Sequence, residues 1–156
     1  MNPSAAQNYL KTKVLTATPE QLQMMLYDGA LRFGEQAKVA MNAGKFDESY
    51  DLITRVQKIV LELNCSLKHE VAPDVCGKLS ALYNYVYRKL IEANVAHDAK
   101  AMEEAIELLR YQRETWALLL ERLSKDKEGK AAMRLDMPAP EARREASNSF
   151  SGLTRG

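Results

Sequence analysis

The chain has two cysteines and two histidines, the side chains most often used as transition-metal ligands: Cys65, His69, Cys76 and His97. Their spacing serves none of the usual purposes. A carboxylate-bridged di-metal site in a helical bundle needs Glu-x-x-His pairs projecting inward. The residue three before His69 is Ser66, and the residue three before His97 is Asn94. A zinc site needs closely paired cysteines and histidines, and no such pairing is present. Histidine phosphotransfer needs an exposed imidazole within a helix, whereas both histidines fall at predicted helix ends. Glycine-rich phosphate loops and Ser/His/Asp or Cys/His nucleophile patterns are missing. The sequence therefore predicts a non-enzymatic protein with no metal and no cofactor, and the two cysteines read as small buried hydrophobes rather than a disulfide framework.

The elements that carry these residues are helices. The chain has 156 residues, with 22 Lys+Arg against 21 Asp+Glu and a formal net charge of +1. That balance argues against nucleic-acid binding and against a polybasic membrane anchor. No apolar run reaches the ~18 residues of a membrane span, and the N-terminus lacks the basic-then-apolar order of a secretory signal.

A first predicted helix starts at Pro19. Thr18 suits the N-cap, Pro19 suits N1, and Gln21 at N3 completes a capping box. Leu22, Met25, Leu26, Gly29, Phe33, Ala37, Ala40 and Met41 share one face as far as Asn42, and Gly44 fits a left-handed stop. Gly29 on that face is read as permitting close helix approach. A second helix begins near Asp47, read as its N-cap, and carries Leu52, Ile53, Val56, Ile59, Val60, Leu63 and Leu67 in a wide stripe. A third runs from Pro73 to about Ala96. It has a core stripe of Val75, Leu79, Leu82, Val86 and Leu90, and beside it a second stripe of Tyr83, Tyr87 and Ile91. A fourth follows Asp98, also read as an N-cap, with Met102, Ala105, Ile106, Leu109, Trp116, Leu119, Leu120 and Leu123 inward and Glu103, Glu104, Glu107, Arg110, Glu114 and Glu121 outward.

The predicted fold is all-α: an antiparallel up-down-up-down four-helix bundle over residues 18–123. Residues 1–17 precede it as an apolar arm or cap with no helix signal strong enough to stand alone. Residues 124–156 are expected to form a flexible, disordered tail.

Apolar surface is in surplus. The stripe of Tyr83, Tyr87 and Ile91, with Ile53, Val56 and Val60 on the second helix, either completes the core or lines a groove for an amphipathic partner helix. The arm, through Tyr9, Leu10 and Val14, could cover such a groove while it is empty.

These residues also carry a family resemblance. Tyr9, Thr16-Ala17-Thr18-Pro19-Glu20-Gln21-Leu22 and Met25-Leu26-Tyr27-Asp28-Gly29-Ala30 strongly resemble the flagellar secretion chaperones of the FliS type. Further matches are Ile59-Val60-Leu61-Glu62-Leu63, the run from Leu82 to Asn94, Asp98 with Glu103-Glu104-Ala105, and Arg113-Glu114-Thr115-Trp116. The third helix departs from the pattern, with Ala72-Pro73 where many members have Gly-Gly. The resemblance implies a cytosolic bundle whose N-terminal cap lies over an apolar groove. It further implies binding of the disordered C-terminal segment of flagellin, prevention of premature polymerisation, and delivery to a component of the flagellar type III export gate. Two other classes remain open: a histidine phosphotransfer-like signalling bundle, and a self-associating structural bundle that is a homodimer when free of client.

Overall fold

The computed structural model describes residues 3–125. Within them the chain forms five helices and no strand: α1 (Pro3–Thr16), α2 (Pro19–Asn42), α3 (Phe46–Cys65), α4 (Pro73–Ala96) and α5 (Ala99–Lys125). The expected tail lies outside the described residues apart from Ser124 and Lys125, which continue α5, and the side chain of Leu123 lies outside them too.

Local chemistry sets the boundaries. At the start of α2 the Gln21 amide N–H donates to the Thr18 hydroxyl at 3.1 Å, and the Thr18 N–H donates to Gln21 Oε1 at 3.0 Å. Two of the helix's orphan donors are thus satisfied reciprocally. Thr18→Ala is expected to lower stability by about 1 kcal/mol, measured by urea unfolding, with helical content unchanged in the folded state. Gly44 ends the α2–α3 turn at φ +74°, a conformation that favours glycine. Asp98 caps α5, its Oδ1 accepting from the amides of Lys100 and Ala101. The cap expected at Asp47 is not formed. Lys45 stands at that position without a side-chain bond, and Asp47 lies inside the first turn, where its charge favours the positive helix end.

The N-terminal arm, whose sequence carries no helix signal strong enough to stand alone, is a helix of 14 residues. Ala5, Ala6, Leu10, Lys11 and Leu15 are good helix formers, but only Leu10 and Val14 form an apolar line. A line that narrow gives little periodic signal, and a helix this short is marginal without tertiary contacts. Thr16 closes it by donating its hydroxyl to the Thr12 carbonyl at 2.8 Å.

α2 packs against α3 and α5, and α4 packs against the same two helices. Cross-links run in opposite directions on α2 and α5. Trp116 Nε1 donates to the Glu20 carbonyl, Arg113 pairs with Asp28, Arg110 with Glu35 and Lys38 with Glu103. These two helices are therefore antiparallel. Gly34 allows their close contact, since a Cβ there would meet the Ile106 side chain at 3.0 Å. Gly29, to which that role was assigned from spacing, is also buried. One core joins all of this, from Val14 and Leu22 through Phe33, Ile53, Val56 and Tyr83 to Ile106 and Leu109.

Candidate functional site: a partner-binding surface

No group of three or more His, Cys, Asp or Glu side chains among the described residues is placed to hold a metal ion. His97 caps the end of α4 in the left-handed region, at φ +52°. Its ring stacks on Phe46 at 3.8 Å between centroids. His69 lies in the turn between α3 and α4, so neither imidazole projects from the middle of a helix. Cys76 is buried as expected, but Cys65 is exposed at the end of α3.

The inner stripe of α4 is not the one its spacing first suggested. Cys76, Tyr83, Val86, Leu90 and Ala93 are buried, while Val75 is exposed. Two neighbouring apolar stripes on one helix differ by about a residue's rotation, so spacing alone ranks them poorly. Tyr83 thus belongs to the interior. Its hydroxyl meets that of Tyr27 at 2.6 Å, tying α4 to α2. Gln23 Nε2 donates to the Tyr27 oxygen at 3.4 Å, and Tyr27 donates to Gln112 Oε1 at 3.3 Å. With Tyr83 as donor to Tyr27, one proton arrangement satisfies the whole cluster. Burial pushes both phenols above their ordinary pKa. For Tyr83, the charge that Tyr27 would carry and its hydrogen bond to Tyr27 add to the rise.

Ile53, Val56 and Val60 are likewise fully buried. With Tyr83 they form the interior beneath the α3–α4 seam in this structure, the covered state that either a completed core or a groove closed by the arm would give. Of the residues first assigned to a groove, Tyr87 is half-buried and Ile91 is exposed.

The seam's outer surface carries exposed apolar side chains among polar ones such as Gln57 and Arg88. The Phe46–His97 stack ties it at one end, and Asn64 Nδ2 donating to Asn84 Oδ1 at 3.3 Å ties it at the other. Tyr50 and Asn64 lie two heptads apart on α3, and Asn84 and Ile91 one heptad apart on α4, so each pair follows its helix edge toward the other tie. Tyr50, Leu61, Ile91 and Val95 are all exposed along this strip. Tyr50, Leu61 and Val95 were missed from the sequence because they fall off the core stripe; apolar residues out of phase with it were the available signal.

In the arm, Val14 is wholly buried, Leu10 is half-buried against the core, and Tyr9 is 66% exposed. The arm is thus anchored at its C-terminal end, and the Tyr9 ring is available at the surface.

Fold and surface together define a class: a small all-helical protein that exposes apolar side chains along one of its helix seams. The chain belongs to the FliS family, since the profile described as "Flagellar protein FliS" matches residues 1–123. It is 30% identical to the flagellar secretion chaperone FliS of Bacillus subtilis over 82% of this chain and 93% of that protein. It is 32% identical to that of Salmonella typhimurium over 71% of this chain and 83% of that protein. A crystal structure described as a flagellar chaperone from bacteria shares the fold, with a TM-score of 0.63 at 18% identity, covering 76% of this chain and 97% of that one. The family places the chain in flagellum biogenesis and export, as a secretion chaperone.

Proposed function

We propose that this chain is a cytosolic export chaperone for flagellin. It takes up the disordered C-terminal segment of flagellin along the α3–α4 seam, keeps it from polymerising early, and helps present it to a component of the flagellar type III export gate. The observation that carries this reading is the exposed strip of Tyr50, Leu61, Ile91 and Val95, with Tyr87 beside it, in a member of a flagellar chaperone family. No helix among the described residues is long and apolar enough to cross a membrane, which agrees with a cytosolic site of action.

The physical basis is coupled folding and binding. A flagellin segment with apolar residues at i, i+3/i+4 and i+7 becomes helical as that face meets the seam. Its ordering cost restrains affinity, which suits a client that must be released for export. Short connections, Ala43 to Lys45 and His97 to Asp98, favour antiparallel neighbours and so an up-down-up-down order for α2 to α5. α1 is the cap, with Tyr9, Leu10 and Val14 as its contact residues, and the Thr16-Ala17-Thr18-Pro19 break is its hinge. Ile53, Val56, Val60 and Tyr83 form the floor that keeps the seam's two walls in place.

The test is calorimetric titration of the full chain with a flagellin C-terminal peptide. Saturable binding with a negative heat-capacity change is expected. Tyr9→Ala is expected to weaken binding or slow handover while the circular dichroism spectrum is unchanged. Absence of peptide binding would overturn the function, and an unaltered Tyr9→Ala variant would remove that residue from the cap. If the client-free protein is a dimer that the peptide does not dissociate, the seam is filled by a second copy instead.

A further inference from the structure

On the other edge of α3, two guanidinium groups converge on one aromatic ring. The central carbon of the Arg32 guanidinium lies 5.7 Å from the centre of the Phe33 ring, and that of Arg55 lies 5.5 Å from it. Arg32 belongs to α2 and Arg55 to α3, so the pair bridges the α2–α3 seam. Phe33 is 2% exposed, whereas Arg32 is exposed and Arg55 half-buried. Neither arginine makes an ion pair among the described residues, although Lys38, Lys89, Arg110 and Arg113 all do. Nearby carboxylates do not serve them. Asp28, one turn before Arg32, pairs with Arg113. Asp51 stands one turn before Arg55, the favourable order for a helical ion pair, yet makes none. Attraction to the Phe33 ring holds Arg55 there instead, against the repulsion between two like charges.

A guanidinium held against an aromatic ring keeps its N–H groups free to donate, and their fork matches the two oxygens of a carboxylate. Two such forks at one ring are preorganised for anions, and bound negative charge also relieves their mutual repulsion. The geometry points to a docking site here for an acidic segment of a partner protein, one presenting two carboxylates a helical turn apart. Side chains so spaced are about 5–6 Å apart at their Cβ atoms, which suits neighbouring guanidinium groups. Nine residues, or about two and a half helical turns, separate Arg55 from Asn64, the α3 residue bonded to Asn84. Arg55 and the α3–α4 seam are therefore on opposite edges of α3. Docking at Arg32 and Arg55 is thus independent of whether that seam takes flagellin.

Arginine Nε–Hε signals of the isotope-labelled full chain report on this site directly. The probe is an alanine-based helical peptide with glutamates at i and i+4, beside a version with glutamines there. Saturable shifts of the Arg32 and Arg55 signals are expected with the glutamate peptide and none with the glutamine peptide. Arg32→Met/Arg55→Met keeps apolar stems over Phe33 and should weaken binding, followed at neighbouring amides, by about tenfold or more. Arg32→Lys/Arg55→Lys keeps the charge but loses the fork, and should weaken it as well. Lys45→Gln/Lys58→Gln removes the same charge from exposed positions and should leave affinity within about twofold. Unmoved Arg32 and Arg55 signals would overturn the inference, and so would equal weakening by the lysine substitutions. Equal shifts from inorganic phosphate at the peptide's concentration would also overturn it, by assigning the pair to a single oxyanion.

Discussion

Replacing Tyr83 by alanine is expected to remove about 3–5 kcal/mol of folding stability, as measured by urea unfolding of the full chain. The ring is 1% exposed and sits within the core shared by α2 to α5, so its removal leaves a cavity that the surroundings fill only partly. Against a typical domain stability of about 5–15 kcal/mol, that loss brings the protein near its threshold. Phenylalanine substitutions separate the polar contribution from the packing. Tyr27 is the hub of the buried cluster, bonded to Tyr83, Gln23 and Gln112. Tyr27→Phe therefore leaves the buried Tyr83 hydroxyl and the part-buried amides of Gln23 and Gln112 short of a partner and should cost about 1–3 kcal/mol. Tyr83→Phe removes only one of the hub's partners and should cost about 0.5–1.5 kcal/mol. The double variant should cost less than the sum of the two, because it no longer strands the Tyr83 hydroxyl. Additive costs would show that the 2.6 Å contact contributes no coupling.

The same pair sets an alkaline limit. Both folded-state pKa values are raised above the ordinary phenol value of 10.0, chiefly by burial. Stability from keeping these phenols neutral is present in full below pH 10. It is lost as the pH rises above that value toward the folded-state pKa values, where the unfolded chain ionises first. The Tyr27→Phe/Tyr83→Phe double variant should show a shallower fall in this range.

Much of the architecture was legible where local chemistry is strong. The Thr18–Gln21 box, Gly44, Pro73 and Asp98 marked helix limits within reach of neighbouring residues, and α2 and α4 run between the expected ends. α1 escaped because a narrow apolar line on a short helix has little period to detect, and what orders it is the burial of Val14. The Phe46–His97 stack was out of reach for another reason. It joins residues distant in sequence and rests on a non-glycine residue in the left-handed region, which spacing does not reveal. At the seam, the sequence indicated two helices with surplus apolar residues but not which of those residues stay exposed. Ile53, Val56, Val60 and Tyr83 satisfy helical spacing equally well as core or as groove, and only the position of the neighbouring helices distinguishes the two. Hydrophobicity identifies what will be covered, not what covers it.

Introducing Leu61→Glu and Ile91→Glu together is therefore expected to weaken binding of a flagellin C-terminal peptide by about 100-fold or more. Truncations at the centre of an interface commonly cost at least ~2 kcal/mol, and a factor of 100 corresponds to ~2.8 kcal/mol. A carboxylate facing an apolar helix adds the cost of being desolvated without a partner. Both residues are more than two-fifths exposed, and glutamate is a good helix former, so thermal unfolding should change little. Val39→Glu provides the comparison. Val39 is 66% exposed on α2, away from the α3–α4 seam, and its replacement should leave peptide affinity within about twofold. An unchanged affinity in the double variant would remove the seam from the binding surface, and equal weakening by Val39→Glu would show a general surface-charge effect. With binding lost and Val39→Glu silent, the apolar strip between Asn64–Asn84 and Phe46–His97 is what the client recognises, because exposed apolar area there changes while the core beneath it stays intact.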